Sequence, residues 1–167
     1  TETLCLIAGS GGAGESRVDD LLVGRSHECD YPALVQDRPI LTSQNTEFTT
    51  AAAVDGAVRE ALAAGRSLYN LDVDLLRRLR PDVILTQDLC EVCSIDVRTV
   101  QRAVADLDPP PEVVSLNPTT FEGVLDDALT IGKAVGLEAE AERAVVRLRE
   151  RFFRAADHVN PYTEGPR

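Results

Sequence analysis

The chain has 167 residues, of which 44% are hydrophobic and 27% charged, with four Phe, three Tyr and no Trp. That is about one domain, long enough to bury an aliphatic core without staples. The net charge of −11 opposes nucleic-acid binding and docking on an anionic membrane, both of which need clustered Lys and Arg. No apolar run nears the roughly 20 residues of a membrane span, and no secretory leader is visible. The sequence lacks Met, so it reads as part of a longer or processed chain.

Thr1–Ala8 reads as a short helix that ends in the glycine-rich stretch Gly9–Gly14, a loop. No strand precedes that stretch and no Lys-Ser or Lys-Thr follows it, so it lacks the context of a phosphate cradle. Leu21-Leu22-Val23-Gly24 is a short apolar run, predicted as a buried strand. A polar loop, Arg25 to Tyr31, follows and is closed by Pro32. Pro39–Thr42 is predicted as another short strand. Thr49 or Thr50 caps a helix over Ala51–Ala64, which stops at Gly65. Asp72 or Asp74 starts a helix that ends at Arg80, before Pro81.

Asp82–Gln87 is the clearest strand, and Asp88–Ser94 is the loop that follows it. A helix is predicted over about 96–106, then the rigid connector Pro109–Pro111. Glu112–Leu116 is a further apolar strand. Asn117–Thr120 caps a helix that runs to about Val135. The last element is a long helix over about Glu138–Val159. Its apolar positions, from Leu137 and Ala141 through Leu148 and Phe152 to Val159, keep helical spacing, and it spans about 30 Å. Strands that are apolar on both faces and alternate with helices predict an α/β fold: a short, mostly parallel sheet flanked by helices, then one long helix.

In open parallel sheets, ligands collect beyond the carboxyl ends of the strands. Two loops answer to that place, Ser26–Pro32 and Gln87–Cys93, and one shared sheet edge brings His27, Cys29, Cys90 and Cys93 together. Three thiols and an imidazole suit a soft metal. The same residues also read as a redox pair, a disulfide or small buried side chains. Asp88 and Glu91 flank the C-x-x-C pair and make a thioredoxin-like role the weaker reading. Cys5 falls on an apolar helix face and reads as core, and His158 sits where a helix dipole favours it. Tyr31, Tyr69 and Phe121 are candidates to line a flat ligand, or packing residues. Asp19-Asp20 and Asp126-Asp127 read as solvated faces. No Walker, Rossmann, G-x-S-x-G or H-E-x-x-H pattern is present, so the chain is read as a non-enzyme.

At these loops the chain resembles the class III periplasmic solute-binding proteins, helical-backbone receptors for cobalamin and ferric siderophores. The matching stretches are Leu22–Pro32 (L-V-G-R-S-H-E-C-D-Y-P), Leu79–Cys93 (L-R-P-D-V-I-L-T-Q-D-L-C-E-V-C), Val113–Pro118 and the Thr1–Leu4 start. The S-H-E-C-D-Y-P and D-L-C-E-V-C loops are similar to those of the cobalamin-binding branch. The resemblance implies an N-terminal, Rossmann-like ligand-binding lobe over 1–136, an interlobe helix over 137–160 and a linker over 161–167 to a second lobe. It also implies a strand ahead of Thr1 and a shorter turn at Gly9–Gly14. By resemblance, cobalamin or another metal chelate sits between the lobes, and no cofactor is required for folding. Ser26, His27, Glu28, Cys29, Asp30, Tyr31, Gln87, Asp88, Cys90 and Cys93 are then the ligand-binding candidates. His27, Cys29, Cys90 and Cys93 are the metal-approaching candidates, and Asp74 is the candidate for docking an ABC-type importer permease. The family implies a periplasmic or cell-envelope location. Reuse of the lobe as an interaction subunit, and a Cys/His metal or redox module, are the alternative readings.

Overall fold

A computed structural model describes residues 1–9, 18–45, 50–64, 67–87, 95 and 97–159. In chain order the elements are α1 (Glu2–Ala8), α2 (Val18–Leu21), a 3-10 turn (Ala33–Val35), β1 (Thr42–Gln44), α3 (Ala51–Ala64), β2 (Tyr69–Leu71), α4 (Val73–Leu79), β3 (Val83–Gln87), α5 (Val97–Val104), β4 (Glu112–Leu116), α6 (Phe121–Ala134) and α7 (Glu138–His158). The described residues thus form a mixed helix-and-strand protein with two small sheets, one of them a parallel pair.

Side-chain caps set several helix starts where the sequence puts short oxygen-bearing residues. Thr50 Oγ1 accepts from Ala53 N at 3.2 Å, Asp72 Oδ1 from Leu75 N at 2.8 Å and Thr120 Oγ1 from Gly123 N at 3.0 Å. Each satisfies an amide that the first helical turn leaves open. Gly136, at φ +67, turns the chain from α6 into α7. There Leu137 N donates to Gly132 O at 2.7 Å and Gly136 N to Lys133 O at 3.3 Å. This is the paired closure of a Schellman motif, which needs a left-handed residue where Gly stands.

The α6–α7 hairpin and α1 enclose the largest core cluster. Ile7, Leu125, Leu137, Ala141 and Ala144 are almost wholly buried there, with Val18 and Val35. Gly132 lets the two long helices close: a Cβ there would run into Ala141 Cβ, with Leu137 O also at 3.0 Å. A second cluster joins Leu76 of α4 to Ala103 and Val104 of α5.

The strands lie between these clusters. Leu85 and Leu116 pack on the first, while Ile84 and Val113 pack on the second. Neighbouring strand residues thus face opposite helix layers, as a period of two requires. β3 and β4 pair in parallel from Val83↔Glu112 to Gln87↔Leu116. β1 and β2 pair antiparallel, from Thr42↔Leu71 to Gln44↔Tyr69.

Three expectations need correction. Leu21–Gly24 is not a strand: Leu21 closes α2, and the stretch beyond it contributes only an isolated parallel bridge, Arg25↔Ile40. The apolar run packs Leu21 and Leu22 on the first cluster, a burial that periodicity alone cannot distinguish from a strand. The strand expected at Pro39–Thr42 starts at Thr42, because Pro39 has no amide to donate and Ile40 makes only the bridge. Tyr69–Leu71 is a strand that the sequence reading missed, and its antiparallel pairing replaces part of the single parallel sheet expected. Beyond these, the apolar stripe of α7 is covered over its first half, as far as Leu148. Ala141, Ala144 and Val145 are buried, whereas every residue from Arg151 to Val159 is exposed.

Candidate functional site

Arg25 organises the loop that leaves the bridge. Its guanidinium donates from Nη1 to Cys29 O at 3.0 Å and Ser26 O at 3.2 Å, and from Nη2 to Gln36 O at 3.0 Å. Gln36 Nε2 in turn donates to Asp30 O at 3.0 Å. Three backbone carbonyls are thereby gathered round one planar cation, whose fork of donors suits such a turn.

Thr42 holds the same loop from β1. Its hydroxyl lies 3.0 Å from Ser26 Oγ, accepts from His27 N at 3.0 Å and meets His27 Nδ1 at 2.6 Å. The imidazole is fixed on its other sides by Tyr69, with ring centroids 5.3 Å apart, and by Glu28, whose Oε1 is 3.3 Å from Nε2. That last approach is close but not aligned as a hydrogen bond, so among the described residues Nε2 is a buried polar atom without a hydrogen-bond partner. The His27 side chain is 20% exposed.

The loop opens on a cleft of about 660 Å³, within the range of small-molecule sites. Ser26, His27, Glu28 and Cys29 line it, as does Gln87 at the carboxyl end of β3. Tyr69 lines it as well. Asp30 and Tyr31 do not, and Tyr31 is 65% exposed. Phe121 lies elsewhere, stacked on Phe152 at 4.1 Å. Asp74 is exposed in the first turn of α4. Asp88, Cys90 and Cys93 lie outside the described residues, as does Ser10–Gly14.

Among the described residues no group of three or more His, Cys, Asp or Glu side chains could hold a metal ion. Cys5 and Cys29 are free thiols, both partly buried. Burial pushes the Cys5 thiol above its ordinary range, against the pull of the chain's terminal ammonium, with Cys29 and Glu2 adding to the rise. Asp127 is also raised, by burial first and then by Asp126. It lies on α6, outside the cleft lining. No described helix is long and apolar enough to cross a membrane.

Arg25 and Thr42 are cleft residues that sequence reasoning left without a role. The signal for Arg25 was a cation inside a polar loop rich in carbonyls. Thr42 carried none, because its partners are 15 and 16 residues away. No protein-family model matches the chain, and no curated protein or solved structure matches it.

Proposed function

We propose that the chain is one lobe of a solute-binding receptor of the helical-backbone kind, taking cobalamin or a related metal chelate and handing it to an ABC-type importer. The observation that carries this reading is the shared cleft. A rigid polar loop with His27 at its centre and the carboxyl end of a parallel strand with Gln87 face one opening. Ligands of parallel sheets gather at such ends. His27 offers a buried ring nitrogen that has no hydrogen-bond partner among the described residues, with Glu28 close by, a group suited to hydrogen-bonding an amide side arm or approaching a metal. Cleft binding by shape and side-arm contacts involves no covalent step, in keeping with the non-enzyme reading. The fold proposed for the lobe is Rossmann-like, and the exposed outer half of α7 suits a helix that runs on to a second body.

Titration with cyanocobalamin, followed by calorimetry and by the corrin absorbance, tests the reading. Expected is saturable binding that Gln87→Ala weakens by about ten-fold, roughly the 1.4 kcal/mol of one well-made polar contact. No heat and no spectral change at micromolar protein overturns it. The interaction-subunit reading is favoured by a separate observation, the exposed aromatic group of Phe121, Phe152 and Phe153. A stable complex that survives Phe152→Ser would exclude that patch as its seat.

A further inference from the structure

The hydrogen atoms around Thr42 can be counted one by one. Its hydroxyl has three polar neighbours: His27 N at 3.0 Å, Ser26 Oγ at 3.0 Å and His27 Nδ1 at 2.6 Å. A hydroxyl carries one proton and two lone pairs, so three partners use it fully. The His27 amide can only donate, and it takes the first lone pair. The proton and the second lone pair are shared between Ser26 and the imidazole.

Two arrangements satisfy that count, and they differ in the ring's tautomer. In the first, the Thr42 O–H donates to Nδ1 and the Ser26 O–H donates to Thr42. Ser26 Oγ itself accepts from Glu28 N at 3.3 Å, so each hydroxyl proton of the circuit has an acceptor. Neutral His27 then carries its proton on Nε2, 3.3 Å from Glu28 Oε1, where a positive N–H faces a negative oxygen. In the second, Nδ1–H donates to Thr42 and Thr42 donates to Ser26. The Ser26 O–H then finds no acceptor among the described residues, and the Nε2 lone pair faces the carboxylate. The second arrangement loses a hydrogen bond and adds a repulsion. The hydrogen bond alone is worth roughly a five- to ten-fold ratio of populations.

We infer that Thr42 is a positioning residue that holds neutral His27 as the Nε2–H tautomer, so that the ring meets a ligand as a hydrogen-bond donor to a carbonyl oxygen and not as a metal ligand. A histidine that binds metal through Nε2 turns its Nδ1–H toward an acceptor such as a carboxylate or a backbone carbonyl. Here Nδ1 is itself the acceptor, and both lone pairs of Thr42 are taken. Glu28 shields Nε2 with a side chain that is 66% exposed, so a ligand oxygen can replace it without disturbing the circuit beneath. The tautomer follows from the circuit alone, whereas the ligand half rests on the receptor reading.

Long-range proton–nitrogen NMR tests the inference, because the two tautomers give different cross-peak patterns. The chain has two histidines, and His158→Gln, at an exposed helix end, assigns their signals. The spectra are taken at about pH 8.5, above the ordinary titration range of imidazole. Expected for His27 is the Nε2–H form in about ten-fold excess. Thr42→Ser keeps that excess, Thr42→Val lowers it several-fold, and equimolar zinc chloride leaves the His27 signals in place. An Nδ1–H ring in the unsubstituted chain overturns the inference, as does a ring that Thr42→Val leaves unchanged or Thr42→Ser disturbs equally. Removal of the Nε2 proton by zinc, or in a cyanocobalamin complex, overturns the donor role. A chain that binds no cyanocobalamin fails the receptor reading alone, since the tautomer and zinc measurements do not use it.

Discussion

The α1–α6–α7 body and the strand side of this protein are built from similar residues but finished to different degrees. In the helical body Leu125 and Leu137 are each 1% exposed, and Ile7 is fully buried. On the strand side Val83, Ile84 and Leu85, an equally apolar run, are only half-buried. A helix satisfies its own backbone, so two helices joined by a tight turn close a core with the residues they carry. A strand satisfies only what a neighbour brings to each edge. The difference thus lies in how many described neighbours each element meets rather than in weaker side chains.

The contrast can be broken at its strongest point. Leu125→Ala should cost about 2–5 kcal/mol in urea unfolding, the range for a fully buried Leu whose cavity cannot collapse. Ile84→Ala should cost clearly less, about 1–2 kcal/mol, because its surroundings already admit water. Equal losses would mean that the strand side is as tightly closed as the helical one. Adding volume probes the same asymmetry. Gly132→Ala drives a methyl into Ala141 and should cost about 1–3 kcal/mol, whereas Gly56→Ala, with nothing within 4 Å of the new Cβ, should be neutral or stabilising in the same assay.

Caps should matter alike on both sides, since they act locally. Thr120→Ala and Asp72→Ala should each cost about 1 kcal/mol, and a large difference between them would show that tertiary packing, not capping, sets one of these helix starts. The smallest effect concerns pH. Cys5 has a raised native pKa, so its contribution to stability is intact below the ordinary thiol value of 9.0 and is lost as pH rises through the native value. Cys5→Ala should flatten the fall in thermal midpoint above pH 9.0. A slope unchanged by the substitution would remove Cys5 from that account.

Much of this contrast is legible in the residues. Thr120, Asp72 and Gly136 mark helix ends through chemistry confined to a few neighbouring positions, and the helices from Phe121 and Glu138 begin where those signals stand. The strand Glu112–Leu116 has the expected bounds. Leu21–Gly24 and Tyr69–Leu71 went astray because a three- or four-residue run gains its identity from a partner across space. The site was legible in part: Gln87 closes the strand Val83–Gln87, as sequence order suggested, whereas Ser26–Cys29 line the cleft without the strand expected at Leu21–Gly24, and Asp30 and Tyr31, in the same loop, do not line it.

What the sequence by itself determined is the acidic, aliphatic character of the chain, its helix starts and stops, and two polar loops following apolar runs. All of these depend on residues within a turn or two of one another. Only the tertiary structure decided that Thr42 holds His27, that Arg25 gathers the loop carbonyls and that Gln87 lines the same cleft as Ser26–Cys29. The physical reason is the same in each case. A hydrogen bond across 15 residues or a shared cleft lining depends on which surfaces meet once helices bury their faces, and no local pattern records that meeting.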